Sequence, residues 1–154
     1  MHDYLRQAIE LAFTNLERGG RPFGAVVVRN GEVIATGVND VVDSHDPTAH
    51  AELLAIRAAS QVLGSPKLGG CSVYASGHPC PMCLAAMRLA GIEGVTFAYS
   101  NEDGEPFGLS TAAVYADLAK PFAQQSMRIT HDPARLDARP DLYAEWARRQ
   151  GAKD

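Results

Sequence analysis

The sequence predicts one α/β domain, with helices on both faces of a mixed sheet of five strands. Three observations carry that expectation. A helical run leads into two short apolar runs joined by Asn30-Gly31, and a strand–helix–strand succession occupies residues 71–99. The chain's 154 residues, 46% of them hydrophobic, favour one full core over two small ones.

Each element has its own local reason. Leu5, Ala8, Ile9, Leu11, Ala12 and Leu16 recur at helical spacing, and Gly19-Gly20 stops them. Phe23 to Val28 is apolar and β-branched. Asn30-Gly31 is a favoured two-residue hairpin turn, and Glu32 to Val38 is the returning strand. A polar loop leads to a second helix, for which Asp46 is a good N-cap, Pro47 suits the first position and Gly64 is the stop. Cys71 to Ala75 reads as a strand, Cys80 to Ala90 as a helix closed by Gly91, and Val95 to Tyr99 as a strand. That unit is a right-handed crossover joining parallel strands. A short helix over 112–118, a fifth strand over 127–130 and a terminal helix over 141–150 complete the reading.

Composition narrows the partners. The formal net charge is −4 and there is no basic stripe, which counts against a nucleic-acid partner. No apolar run approaches the ~20 residues needed to cross a bilayer, and the first residues lack the phases of a signal peptide. A cytoplasmic protein with no membrane partner is the expectation. Three cysteines, two of them in one C-x-x-C, do not make a disulfide framework.

GHPCPMC places Cys80 and Cys83 one turn apart at a helix N-terminus, where the helix dipole favours thiolate. Alone, that pair reads equally as a metal site or a thioredoxin-type redox pair. PTAHAELLAI shifts the balance, because His50 and Glu52 fall in the opening turn of another helix. One histidine and two cysteines suit a single Zn²⁺ per chain with the fourth position left to water. Glu52 then sits beside that water as an acid–base group. A structural zinc site closes its coordination with a fourth protein ligand, so three ligands point to catalysis.

His-x-Glu followed by Pro-Cys-x-x-Cys is the signature of zinc deaminases. The chain resembles the cytidine deaminase-like superfamily, and within it the short bacterial guanine deaminases, over roughly residues 4 to 120. The resemblance implies a three-layer α/β/α fold with zinc held between two helix N-termini by His50, Cys80 and Cys83, and Glu52 as proton shuttle. It implies hydrolytic deamination of a free nucleobase or related aminated heterocycle, guanine to xanthine first. Cytosine or another base or nucleoside is the alternative, then tRNA adenosine; a non-catalytic zinc module stands last.

By the same resemblance Asn39, Ala51, Phe23 and His78 lie at the base, and Asn39 hydrogen-bonds it. Phe23 reads equally as core, and His78 as a loop histidine whose backbone matters more than its ring. Two departures bear on the choice of base. Ser110 and Thr111 stand where short guanine deaminases carry an acid, with Asp103, Glu105 and Asp117 only nearby, and His78 stands where the family often has Glu. Tyr143 and Trp146, three apart in the terminal helix, read either as a cap over the pocket or as plain packing. That helix is a candidate lid or exchanged segment, and a homodimer is implied. Cys71 reads as an inert buried thiol, and nothing singles out His2, His45 or His131.

Overall fold

The computed structural model describes residues 3–151, so His2 and the extreme ends of the 1–154 expectation lie outside the described residues. The chain divides into two units, Met1–Ala119 and Lys120–Asp154.

The first unit opens with α1 (Asp3–Glu17), then the hairpin of β1 (Gly24–Arg29) and β2 (Glu32–Val38). Arg29 pairs with Glu32 across a two-residue turn in which Asn30 and Gly31 have φ of 51° and 78°. Two consecutive left-handed residues match the right-handed strand twist, which is why Asn-Gly closes the loop. The helical turn α2 (Val41–Ser44) and α3 (Ala51–Leu63) follow, then β3 (Cys71–Gly77), α4 (Pro81–Ala90) and β4 (Gly94–Tyr99). Two short helices, α5 (Asn101–Gly104) and α6 (Ala112–Leu118), end the unit.

The strand order is β2-β1-β3-β4. β1 runs antiparallel to both neighbours, while β3 and β4 are parallel, as the α4 crossover requires. Alternation along β1 sends Ala25 and Val27 into a core with Ala51, Ala55, Ile56 and Ala59 of α3 and with Cys83 and Met87 of α4. The other face meets α1, where Tyr4 packs on Tyr74 at 5.2 Å between ring centroids. Two glycines let the layers close. A Cβ on Gly24 would lie 2.4 Å from the Ala8 carbonyl oxygen, and one on Gly37 would lie 2.3 Å from that of Ala51. Gly37 thus sets how closely the first turn of α3 approaches the sheet.

Three expectations are corrected. The sheet has four strands, not five. Residues 127–130 form no strand: none of them pairs with the sheet, and Met127 is 68% exposed. The second helix starts at Ala51 with His50 as N-cap, not at Asp46-Pro47. Asp46 instead closes its own turn, its Oδ1 accepting from the Thr48 N–H (2.8 Å) and hydroxyl (2.7 Å). That turn runs into extended backbone at His50, so the helix begins only after it. In α1 the apolar stripe ends early: Leu16 is 49% exposed, and the buried neighbour is Asn15.

In the second unit, a 3₁₀ turn (Phe122–Gln124) and α7 (Leu142–Gly151) are the regular elements among the described residues. Glu145 pairs with Arg148 and Arg149 along α7. None of the described residues of this unit is buried.

Candidate metal centre

Two helix starts build the site. Cys80 is the N-cap of α4, with Pro81 at the first helical position, and the Cys83 N–H donates to its sulfur at 3.5 Å. His50 is the N-cap of α3, and its extended backbone (ψ 153°) turns the ring away from the helix axis. The turn before it is held by the Ala49 N–H to the Asp46 carbonyl at 3.1 Å and the His50 N–H to that of Thr48 at 2.7 Å.

His50 Nδ1 lies 3.4 Å from Cys80 Sγ and 3.7 Å from Cys83 Sγ, and the three ligand atoms fall within 4.8 Å of one another. These distances test the fit to zinc. Bonds of about 2.3 Å to sulfur and about 2.05 Å to nitrogen at a tetrahedral angle separate N and S by about 3.6 Å. The observed separations straddle that value. Two sulfurs and an imidazole are also the donor softness Zn²⁺ favours.

Protonation follows from the packing. A hydrogen bond from the Cys83 thiol holds Cys80 far below the usual thiol range, with His50 adding to the effect. Cys83 is correspondingly pushed up, since it keeps the proton that the pair shares. The Cys80 hydrogen bond raises His50 against the opposing effect of burial. Metal ligation replaces this shared proton with a cation.

Glu52, at the second position of α3, is only 7% exposed. Burial raises its carboxyl from the ordinary 4.5 to about 7, and the Cys80 charge adds to that while its own backbone N–H and His50 oppose it. A carboxyl with that affinity exchanges its proton near neutral pH.

The remaining expected residues divide. Asn39 is buried at the end of β2, its backbone N–H donating to the Phe23 carbonyl at 3.2 Å. The Asp40 N–H donates to the Ala49 carbonyl at 2.9 Å, which joins Asn39 to the turn carrying His50. Ala51 is buried at the first turn of α3. Phe23 is partly buried against the core, and its ring covers Gly77, where a Cβ would lie 3.1 Å away. His78 is held by its backbone N–H to the Tyr99 carbonyl (2.7 Å) and by Nδ1, which accepts from the Asn101 N–H (3.4 Å). Its ring rests between Phe97 and Tyr115, at 4.7 and 5.7 Å. With Nδ1 accepting from Asn101, Nε2 is the ring nitrogen left to donate. In the second unit Tyr143 is 81% and Trp146 63% exposed.

A cavity of about 510 Å³ is not lined by His50, Cys80 or Cys83. It is lined by α1, by Phe23, Ser76 and His78, and by residues 98–109. Chemistry and cavity volume therefore diverge here, and the donor set is what marks the site. Thr111 donates to Asn101 Oδ1 from its backbone N–H at 3.1 Å and from its hydroxyl at 3.5 Å.

Tyr115 went unread in the sequence. From α6 its hydroxyl donates to the carbonyl of Pro79, the residue before Cys80, and burial together with the Cys80, Cys83 and Glu52 charges raises its pKa. It braces the metal loop from outside. A lone tyrosine in a short helix carries no sequence signal for that role.

A buried carboxyl beside an open His/Cys/Cys set at two helix N-termini defines a zinc-dependent hydrolytic deaminase centre. The chain belongs to the family described as the cytidine and deoxycytidylate deaminase zinc-binding region, whose model matches residues 1–99. Guanine deaminase of Bacillus subtilis (strain 168) is 42% identical over 125 residues, 80% of each chain. The X-ray structure of guanine deaminase from that species superposes with a TM-score of 0.84 at 37% identity, over 97% of this chain and 95% of that one. A solved relative in complex with 2,6-diaminopurine is 31% identical, with a TM-score of 0.67 over 70% of this chain and 61% of that one. The tRNA-specific adenosine deaminase of Aquifex aeolicus (strain VF5) is 42% identical over 95 residues, 62% of this chain and 63% of that protein.

Proposed function

We propose that this protein deaminates a free nucleobase or related aminated heterocycle, guanine to xanthine first, with Glu52 as proton shuttle and His50, Cys80 and Cys83 as zinc ligands. The observation that carries it is the buried carboxyl of Glu52 beside three converging ligand atoms. Zn²⁺, when bound by those three residues, supplies an acidified water as nucleophile at neutral pH. Glu52 takes the proton released as the nucleophile forms and delivers it to the ring nitrogen beside the amine-bearing carbon. The oxygen added to that carbon then gives its remaining proton to the Glu52 carboxylate, which passes it to the departing amine, so the C–N bond breaks, a carbonyl forms and ammonia leaves.

Asn39 offers the base its amide. Its Oδ1 already accepts the Val41 N–H at 3.1 Å, so the Nδ2 hydrogens are the face left for a base carbonyl or ring nitrogen. Phe23, Ala51 and His78 line the approach in this reading. The Bacillus subtilis guanine deaminase and the solved relative in complex with 2,6-diaminopurine favour a purine base over cytosine.

The same reading treats the chain as one catalytic domain whose C-terminal segment, α7 with Tyr143 and Trp146, is completed by a second copy. Phe122, Met127, Leu136, Leu142, Tyr143 and Trp146 are all exposed, and a second copy would cover them in this reading. A cytoplasmic homodimer acting in purine salvage is the corresponding biology. No helix among the described residues is long and apolar enough to cross a membrane. A tRNA substrate is disfavoured by the net charge of −4, since phosphate contacts dominate that affinity.

The test is an ammonia-release screen over guanine, cytosine, adenine, their nucleosides, aminated triazines and a tRNA anticodon stem-loop. Guanine is expected to release ammonia fastest. Turnover of the stem-loop with no free base turned over would sink the reading.

A further inference from the structure

Four polar or charged side chains are buried among the described residues: Asn15, Asn39, Glu52 and Ser76. Glu52 and Asn39 belong to the site, and Ser76 accepts the Gly24 N–H at 3.0 Å between strands. Asn15, on α1 and 5% exposed, remains. A helix this amphipathic would ordinarily put an apolar residue there.

Its amide has a specific occupation. Nδ2 donates both its hydrogens at 2.8 Å, one to the Arg21 carbonyl and one to the Asn39 carbonyl, 24 residues away. Oδ1 takes a longer contact from Arg18 at 3.4 Å. The chain presses against this amide from behind, since a Cβ on Gly20 would lie 2.5 Å from Nδ2. The Asn39–Asp40 peptide is therefore held at both ends: its carbonyl by Asn15, its N–H by the Ala49 carbonyl at 2.9 Å. Ala49 directly precedes His50.

We infer that Asn15 is a positioning residue for the substrate: its amide fixes the peptide that aims Asn39 relative to the His50 turn, and through Arg21 it fixes the start of the Phe23 strand. The inference rests on the reading of Asn39 as the base-binding residue. No apolar or acidic residue can replace the amide. An alanine leaves two inward carbonyls without donors, and an aspartate sets a carboxylate against them. The consequence is directional. Losing the clamp lets the Asn39 side chain wander while the metal ligands stay seated on α3 and α4, so binding of the base suffers before metal binding does.

The experiment is a double-mutant cycle of Asn15→Ala and Asn39→Ala, with the base selected by the ammonia screen, reading KM, kcat, zinc content and melting temperature. Asn15→Ala is expected to raise KM about tenfold with zinc content unchanged, and to add nothing in the Asn39→Ala background. Equal multiplication of KM in both backgrounds, or a lowered melting temperature with KM unmoved, overturns the inference. Asn15→Ser keeps one donor and is expected to give an intermediate KM. It carries the cycle if the alanine variant does not fold, with the same two overturning outcomes. An Asn39→Ala variant with unchanged KM instead fails the base-binding reading, and is told apart because it needs no change at Asn15.

Discussion

Substituting Glu52 by glutamine should make the metal-free protein more stable and the enzyme inactive, and the size of the gain follows from burial. The carboxyl is 7% exposed, and its pKa rises from 4.5 to about 7 on folding. One pH unit of proton affinity corresponds to about 1.4 kcal/mol, so the charged form costs the fold about 3 kcal/mol. The sign follows from which state holds the proton. The folded chain binds it more tightly, so this stability is present in full below about pH 4.5, declines as pH rises, and is gone above about 7. Glutamine has the shape of the protonated carboxyl and carries no such dependence. Urea unfolding of chelator-treated protein should therefore show Glu52→Gln about 3 kcal/mol more stable than wild type at pH 8, and less than about 1 kcal/mol more stable at pH 5. With zinc restored the difference should shrink, because a nearby cation stabilises the carboxylate. A stability difference that is the same at both pH values would refute the argument that burial sets this group's proton affinity.

Other consequences are open to measurement. Tyr115→Phe removes only the hydroxyl that holds Pro79, and should weaken zinc retention against a chelator about tenfold without unfolding the chain. Gly37→Ala places a methyl group against the Ala51 carbonyl and the Ala55 N–H of α3. It should cost about 1–3 kcal/mol in denaturant unfolding and loosen zinc binding, since His50 caps that helix. Cys83→Ser should abolish stoichiometric zinc in elemental analysis, whereas Cys71→Ser, at a buried thiol remote from the ligand set, should leave it intact. Sedimentation of wild type against a Trp146→Glu, Tyr143→Glu variant should show a dimer converted to monomer if α7 is covered by a second copy.

How much of this was legible beforehand depended on range along the chain. The hairpin turn at Asn30-Gly31, the strand over 32–38 and the helix over 112–118 came out as read, because each is set by residues within a few positions. The two helix starts were also legible as motifs. Even so, the local rule misplaced the second one by four residues. Asp46 looked like a cap and is one, but of the Thr48 turn, which leaves His50 to cap α3 and so turns its ring toward the cysteines. The fifth strand failed for the opposite reason. A strand needs a partner, and nothing in residues 127–130 themselves says whether one is there.

Residues that act across the fold were the least visible. Asn15 was hidden inside a helical pattern that seemed complete without it, and Tyr115 lies 36 residues from the carbonyl it holds. His78 was read as a loop histidine or a substrate contact. The Asn101 N–H and the flanking Phe97 and Tyr115 rings favour a braced loop residue with one ring nitrogen committed.

By itself the sequence determined the chemistry on offer: which side chains bear soft ligands, which carboxyl stands next to them, and that both sets open helices. Short-range geometry sufficed, since a residue one, two or three positions into a helix has a fixed direction whatever the rest of the chain does. Only the tertiary structure decided that His50 meets Cys80 and Cys83 within bonding range of one ion, and that Glu52 is dry enough to hold a proton near pH 7. Both depend on desolvation and contact by segments tens of residues apart, and those quantities exist only once the layers have closed.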